Sequence, residues 1–230
     1  MSEPGSTITA RQFHHADGVA DWRVADGGAS THYPTDSFAS GARLVAAINE
    51  LPGVDEHPPD IDLRPDGVGV RLFTFAPAPD GLSEKDLEMA RRISRVAADH
   101  GLVAEPSAVQ NLVVIIDAMN IPIVAPFWRA VLGYVVRGGG PAAEELNDPR
   151  RRQPVICFQQ MDAPRPQRNR IHIDVWVPHQ EAEARVSAAL AAGGRVVFDR
   201  KAPSWWILAD SEGNEACVAT WIGTDGLGYP

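Results

Sequence analysis

A chain of 230 residues has room for one large domain or two small ones, and 44% hydrophobic with 22% charged side chains is the balance of a protein that buries a core. A formal net charge of −9 excludes a broad phosphate-binding surface and docking on an anionic membrane, both of which need a positive excess. No apolar run approaches the ~20 residues of a membrane span, Met1–Ser6 lacks the basic and apolar regions of a secretory signal, and two cysteines are too few for a disulfide scaffold, so the expected compartment is the cytoplasm.

In chain order, Trp22–Val24 and Thr31–Tyr33 read as short strands around the turn Asp26-Gly27-Gly28. Asp36 or Ser37 can cap a helix carrying Phe38, Ala42, Val45 and Ile48 on its inner face. Two strands flank Pro65-Asp66-Gly67. The second sets Val68, Val70, Leu72 and Thr74 against Arg71, Phe73 and Phe75. Ser83 and Asp86 resemble a capping box before a helix striped by Leu87, Ala90, Ile93 and Ala97. The order β-β-α-β-β-α predicts an α+β layer, a small sheet with helices on one face. His14-His15 is read as surface.

Pro106, within Gly101–Ala108, can stop either a helix or a strand, and places domains at 1–103 and 109–230. Beyond it a strand–helix–strands pattern occurs twice. Strand Gln110–Asp117 leads to helix Pro126–Gly133 and strands ending at Pro154–Met161; strand Arg170–Val177 leads to helix Glu181–Ala192 and strands Arg195–Phe198, Trp205–Leu208 and Ala216–Trp221. This is an internal duplication. The stretch Gly138–Gln153 reads either as a lid over a cleft or as a disordered insertion, and Arg150-Arg151-Arg152 within it as a solvated run. Trp205 and Trp206 point to opposite faces, with core packing expected for both.

Trp22, Phe38, Glu56-His57-Pro58 and Gly81-Leu82-Ser83 with Asp86 and Ala90 give the first part a resemblance to the pterin-4a-carbinolamine dehydratases. The resemblance implies a lyase that dehydrates a 4a-hydroxytetrahydropterin, with a His-His-Pro motif and a further His at the end of the next strand. Here Glu56 stands in the first slot, His57 in the second and Phe75 in the third. The implied catalytic groups are therefore His57, with Glu56 beside it. Imidazole suits the work, because expelling hydroxide needs a general acid and removing a ring N–H needs a base near working pH. Two readings follow: a dehydratase running on His57, or a pocket kept as scaffold or binding surface. Some relatives double as dimerisation partners of transcription factors, and a homo-oligomer is among the expected states.

Val113-Val114-Ile115-Ile116-Asp117, Phe127-Trp128, Asn169-Arg170-Ile171-His172-Ile173-Asp174 and Asp210 with Gly213-Asn214-Glu215 resemble the glyoxalase-like branch of the vicinal oxygen chelate superfamily. The implied fold is a pair of βαβββ modules. Metal-bearing members hold a divalent ion as a Lewis acid, and the resemblance places the ligand slots at Gln110, His172 and either Glu215 or Cys217, with a small molecule as partner. A metal-dependent lyase, isomerase or dioxygenase and a metal-free ligand pocket are both open at this point.

Overall fold

The computed structural model describes residues 7–25, 28–74, 81–136, 145–164, 172–220 and 222. The chain divides into two compact units, Met1–Asn111 and Leu112–Pro230. Among the described residues no helix is long and apolar enough to cross a membrane.

The first unit runs β1 (Thr7–Ile8), α1 (Ala10–His15), β2 (Arg23–Ala25), β3 (Gly28–Pro34), α2 (Phe38–Asn49), β4 (Asp60–Arg64), β5 (Gly67–Leu72), β6 (Leu82–Ser83) and α3 (Glu84–Asp99). An antiparallel sheet of order β2-β3-β5-β4 carries its apolar side chains at alternate positions. Ala29 and Tyr33 of β3 and Val68, Val70 and Leu72 of β5 are buried, in one cluster with Leu44 and Ile48 of α2 and Leu87, Ala90, Ile93 and Ala97 of α3. β1 and α1 are additions to the expected pattern; Thr9 and Gln12 form a full capping box at the start of α1, a start signal lost in a short polar segment.

The inner face of α2 is a correction. It buries Gly41, Leu44 and Ile48, while Phe38 is 56% exposed. The glycine decides the rotation: a Cβ at Gly41 would stand 2.6 Å from Leu63 Cδ1 and 3.1 Å from a Val68 methyl, so the helix lies flat on the sheet only along its bare edge.

The second unit holds two βαβββ modules: β7 (Val113–Ala118), α4 (Ile121–Leu132), β8 (Val135–Val136), β9 (Glu145–Asn147) and β10 (Val155–Gln160), then β11 (Ile173–Trp176), α5 (His179–Ala191), β12 (Arg195–Lys201), β13 (Trp205–Ala209) and β14 (Glu215–Ala219). Their sheets, β7-β10-β9-β8 and β11-β14-β13-β12, have one order, and in each the first strand pairs in parallel with the last. Helix α4 starts at Ile121, five residues before the Pro126 expected to open it. Pro122 occupies the first turn, where no N–H is needed, and Glu212 accepts hydrogen bonds from the N–H groups of Met119 and Asn120 at 2.8 and 2.7 Å. The stretch read as lid or insertion contains β9 and a turn organised by Asp148, whose carboxylate accepts N–H bonds from Arg150, Arg152 and Gln153. Phe75, Asp26-Gly27, Gly138–Glu144, Asn169–Ile171 and Trp221 lie outside the described residues.

Asp210 organises the matching turn of the second module. Fully buried, it accepts from Trp128 Nε1 at 3.0 Å, Asn214 Nδ2 at 2.8 Å, and the N–H groups of Glu212 and Asn214 at 2.9 Å each. Asp210→Ala strands the indole N–H and two backbone N–H groups, with an expected loss of about 2–4 kcal/mol. Urea unfolding read by tryptophan emission measures it, and an unchanged midpoint would show the network contributes nothing.

Candidate functional site

In the first unit the site is built where the loop before β4, the end of β5 and the start of α3 meet. His57 closes a turn by donating its N–H to Gly53 O at 3.1 Å. Arg92 of α3 holds that loop, donating to Pro52 O while pairing with Glu88 at 3.1 Å. Thr74 is fixed by an isolated bridge to Gly81, at 2.8 and 3.2 Å. These constraints bring His57 and Thr74 onto Asp86, the third residue of α3.

Asp86 is fully buried and has a partner on each oxygen. Oδ1 lies 2.8 Å from His57 Nε2. Oδ2 accepts from Thr74 Oγ1 at 2.6 Å, Ser83 N at 2.7 Å and Ser83 Oγ at 2.8 Å. Burial pushes this carboxyl upward, but the bonds from His57, Thr74 and Ser83 outweigh it and leave its pKa below the ordinary carboxylate value. Asp86 therefore faces His57 as a carboxylate: Nε2 donates to it, and Nδ1 is the ring nitrogen left for chemistry. The His57 side chain is 14% exposed, so it is reachable yet largely dry. Glu56 is exposed.

Sequence reasoning found His57, and read Asp86 as a helix start and a point of family resemblance, with no role beside the imidazole. The missed signal is position: Asp86 falls four residues before Ala90 and seven before Ile93, on the buried stripe of α3, where a carboxylate needs partners.

In the second unit, the face of the β11–β14–β13 sheet away from the core carries His172, Asp174 and Cys217. His172 Nε2 lies 3.0 Å from Asp174 Oδ1, and Asp174 is paired in the ladder with Cys217. Cys217 is 1% exposed; burial, then the Asp174 charge, pushes its thiol up to about 12, which keeps it protonated and a poor ligand. Glu215 is half-buried at the start of β14. Gln110 is exposed and belongs to the other unit, because β7 begins three residues later, at Val113. By strand register it is Val113, not Gln110, that corresponds to His172. Among the described residues no three His, Cys, Asp or Glu side chains are grouped so as to hold a metal; the expected set of Gln110, His172, Glu215 and Cys217 is not assembled.

The family model for pterin 4 alpha carbinolamine dehydratase matches residues 6–96, and that for the glyoxalase-like domain matches residues 113–219. A Mycobacterium leprae protein named "Putative pterin-4-alpha-carbinolamine dehydratase" is 34% identical over 79 residues, covering 34% of this chain and 82% of its own. A Mycolicibacterium smegmatis protein of the same name is 33% identical over 78 residues, covering 34% and 81%. The chain belongs to the pterin carbinolamine dehydratase family. It is a fusion, with a glyoxalase-like domain behind the dehydratase-like one. Among solved structures, a transcriptional coactivator/pterin dehydratase from Brucella melitensis aligns at 19% identity over 40% of this chain and 99% of its own, with a TM-score of 0.35. A glyoxalase/bleomycin resistance protein/dioxygenase family enzyme from Burkholderia phytofirmans aligns at 18% identity over 46% and 94%, with a TM-score of 0.37. Among the described residues of the dehydratase-like domain, His57 and Asp86 form a largely buried histidine–carboxylate pair.

Proposed function

We propose that the first domain is a lyase that dehydrates a 4a-hydroxytetrahydropterin with His57 as its one imidazole. The observation that carries this reading is the 2.8 Å contact from His57 Nε2 to a buried, fully bonded Asp86. In the reaction the C4a–O bond breaks and the C4a=N5 bond forms, and the hydroxyl departs as water. The imidazolium gives a proton to the leaving oxygen, and the neutral ring then takes the proton from N5, so His57 ends as it began. Asp86 stabilises the imidazolium and fixes the ring direction; being buried and saturated with donors, it does not touch substrate. Glu56, on the preceding position, is exposed and stands beside the imidazole as an auxiliary group. The test is the dehydration rate of a 4a-carbinolamine with purified full-length protein: acceleration over buffer supports the reading, and a rate equal to buffer overturns it.

The reading extends to a cytoplasmic protein with small-molecule partners that forms homo-oligomers, its two domains at 1–103 and 109–230 folding independently. Each half, expressed after a cut near Glu105, is expected to unfold cooperatively on heating; failure of both halves would show the boundary is wrong.

A further inference from the structure

We propose that Arg92 is a positioning residue for the dehydration, aiming the His57 ring through the backbone of the loop between α2 and β4; its catalytic consequence rests on the dehydratase reading. Helix α3 touches the His57 segment at two points. Asp86, in its first turn, takes the ring, with Oδ1 2.8 Å from Nε2. Arg92, six residues on and ~9 Å further along the axis, takes the backbone: its Nη1 donates to Pro52 O.

The path from that bond to the histidine is one residue long. Pro52 and Gly53 offer successive carbonyls: the first accepts from Arg92, and the second accepts from His57 N at 3.1 Å. Gly53 has a φ of +80°, a conformation that suits glycine and lets neighbouring carbonyls meet donors in different directions. The guanidinium lies against this turn, since a Cβ on Gly53 would stand 3.5 Å from Arg92 Nη1. A shift of the Pro52–Gly53 peptide therefore moves the carbonyl that holds His57. Leu51 and Val54 pack on the core, but Asp55 and Glu56, which lead to His57, are exposed.

Glu88, one turn back on α3, accepts from Arg92 Nε at 3.2 Å and Nη2 at 3.1 Å. That two-pronged contact sets the guanidinium plane and directs Nη1 at the loop. The side chains of Arg92 and Glu88 are 31% and 54% exposed, and a pair so wetted adds little to stability. Its effect is on direction. The backbone fixes the His57 Cα and Asp86 fixes Nε2, so Nδ1 is aimed at substrate only while both ties hold. Arg91 supplies a matched control. It also donates from α3 to a backbone carbonyl, Asp17 O at 2.8 Å, but in a segment that does not lead to His57.

The test uses the full chain and two readouts: turnover of a 4a-carbinolamine, and exchange of the His57 Nε2 proton with water, followed by NMR with nitrogen-labelled histidine. Arg92→Ala is expected to lower kcat about ten-fold or more with KM held within about two-fold. The same variant should speed the proton exchange about ten-fold or more, because the ring leaves Asp86 more often. Arg92→Lys restores a donor to Pro52 O and should recover part of both losses, whereas Arg91→Ala should change neither. Circular dichroism matching wild type confirms that the variants are folded. An unchanged exchange rate in Arg92→Ala, a loss confined to KM, no recovery with lysine, or an equal effect of Arg91→Ala overturns the assignment. A wild type that turns over no carbinolamine sinks the dehydratase reading alone; the exchange rate still decides whether Arg92 aims the ring.

Discussion

His57→Ala is expected to lower kcat for 4a-carbinolamine dehydration by about 10²–10⁴-fold, the usual contribution of a positioned acid–base group. KM should hardly change, because the imidazole acts on the leaving oxygen and the N5 proton, not on the body of the ring. The effect is at the upper end because no second imidazole is in place. Of the other four histidines of this unit, His14 accepts a hydrogen bond from Val24 N at 3.3 Å, His32 lies against Gly67, and His15 and His100 are exposed. Glu56→Gln should cost much less, since Glu56 stands in solvent. Added imidazole should partly restore turnover in His57→Ala, by filling the space beside Asp86 with the missing group. A His57→Ala enzyme as fast as wild type would remove this residue from the mechanism.

What the sequence made legible depended on whether a signal was local. The alternation of Val68, Val70 and Leu72 and the stripe of Leu87, Ala90, Ile93 and Ala97 describe their own elements, and both are buried as read. The duplication behind the boundary was equally readable, because each module repeats its order of elements. The face of α2 was misread because Gly41 contributes nothing to an apolar count, yet its missing Cβ sets how close the helix approaches Leu63 and Val68. The start of α4 was hidden because its capping carboxylate, Glu212, lies over 90 residues away. At the site, His57 was visible as a motif. Asp86 was hidden because one carboxylate performs two tasks: Oδ2 closes the capping box with Ser83, and Oδ1 receives a histidine from another segment. Gln110 was misplaced for a related reason. It was read as the first residue of a strand running to Asp117, and the strand begins only at Val113.

Asp86→Ala is expected to destabilise the first domain by about 3–5 kcal/mol, the range for removing one partner of a buried charged network. The loss leaves His57 Nε2, the hydroxyls of Thr74 and Ser83 and the Ser83 N–H without their acceptor, and it removes the helix cap as well. Asp86→Asn keeps the shape and one acceptor oxygen, so its cost should be smaller, about 1–3 kcal/mol. Wild type and Asn variant should then differ in their response to acid. Because the folded-state pKa of Asp86 lies below its unfolded value, its contribution is complete above the unfolded carboxylate range near ~4. It is lost as pH falls through the depressed folded value. Urea unfolding at neutral pH and at progressively lower pH should therefore show the two proteins converging in acid, with the wild type losing more. Parallel curves across that range would mean that Asp86 keeps no special ionisation on folding. At neutral pH the same Asn variant should lose kcat with KM held, since His57 is present but no longer aimed; a loss confined to KM would place Asp86 in substrate binding and not in holding the imidazole.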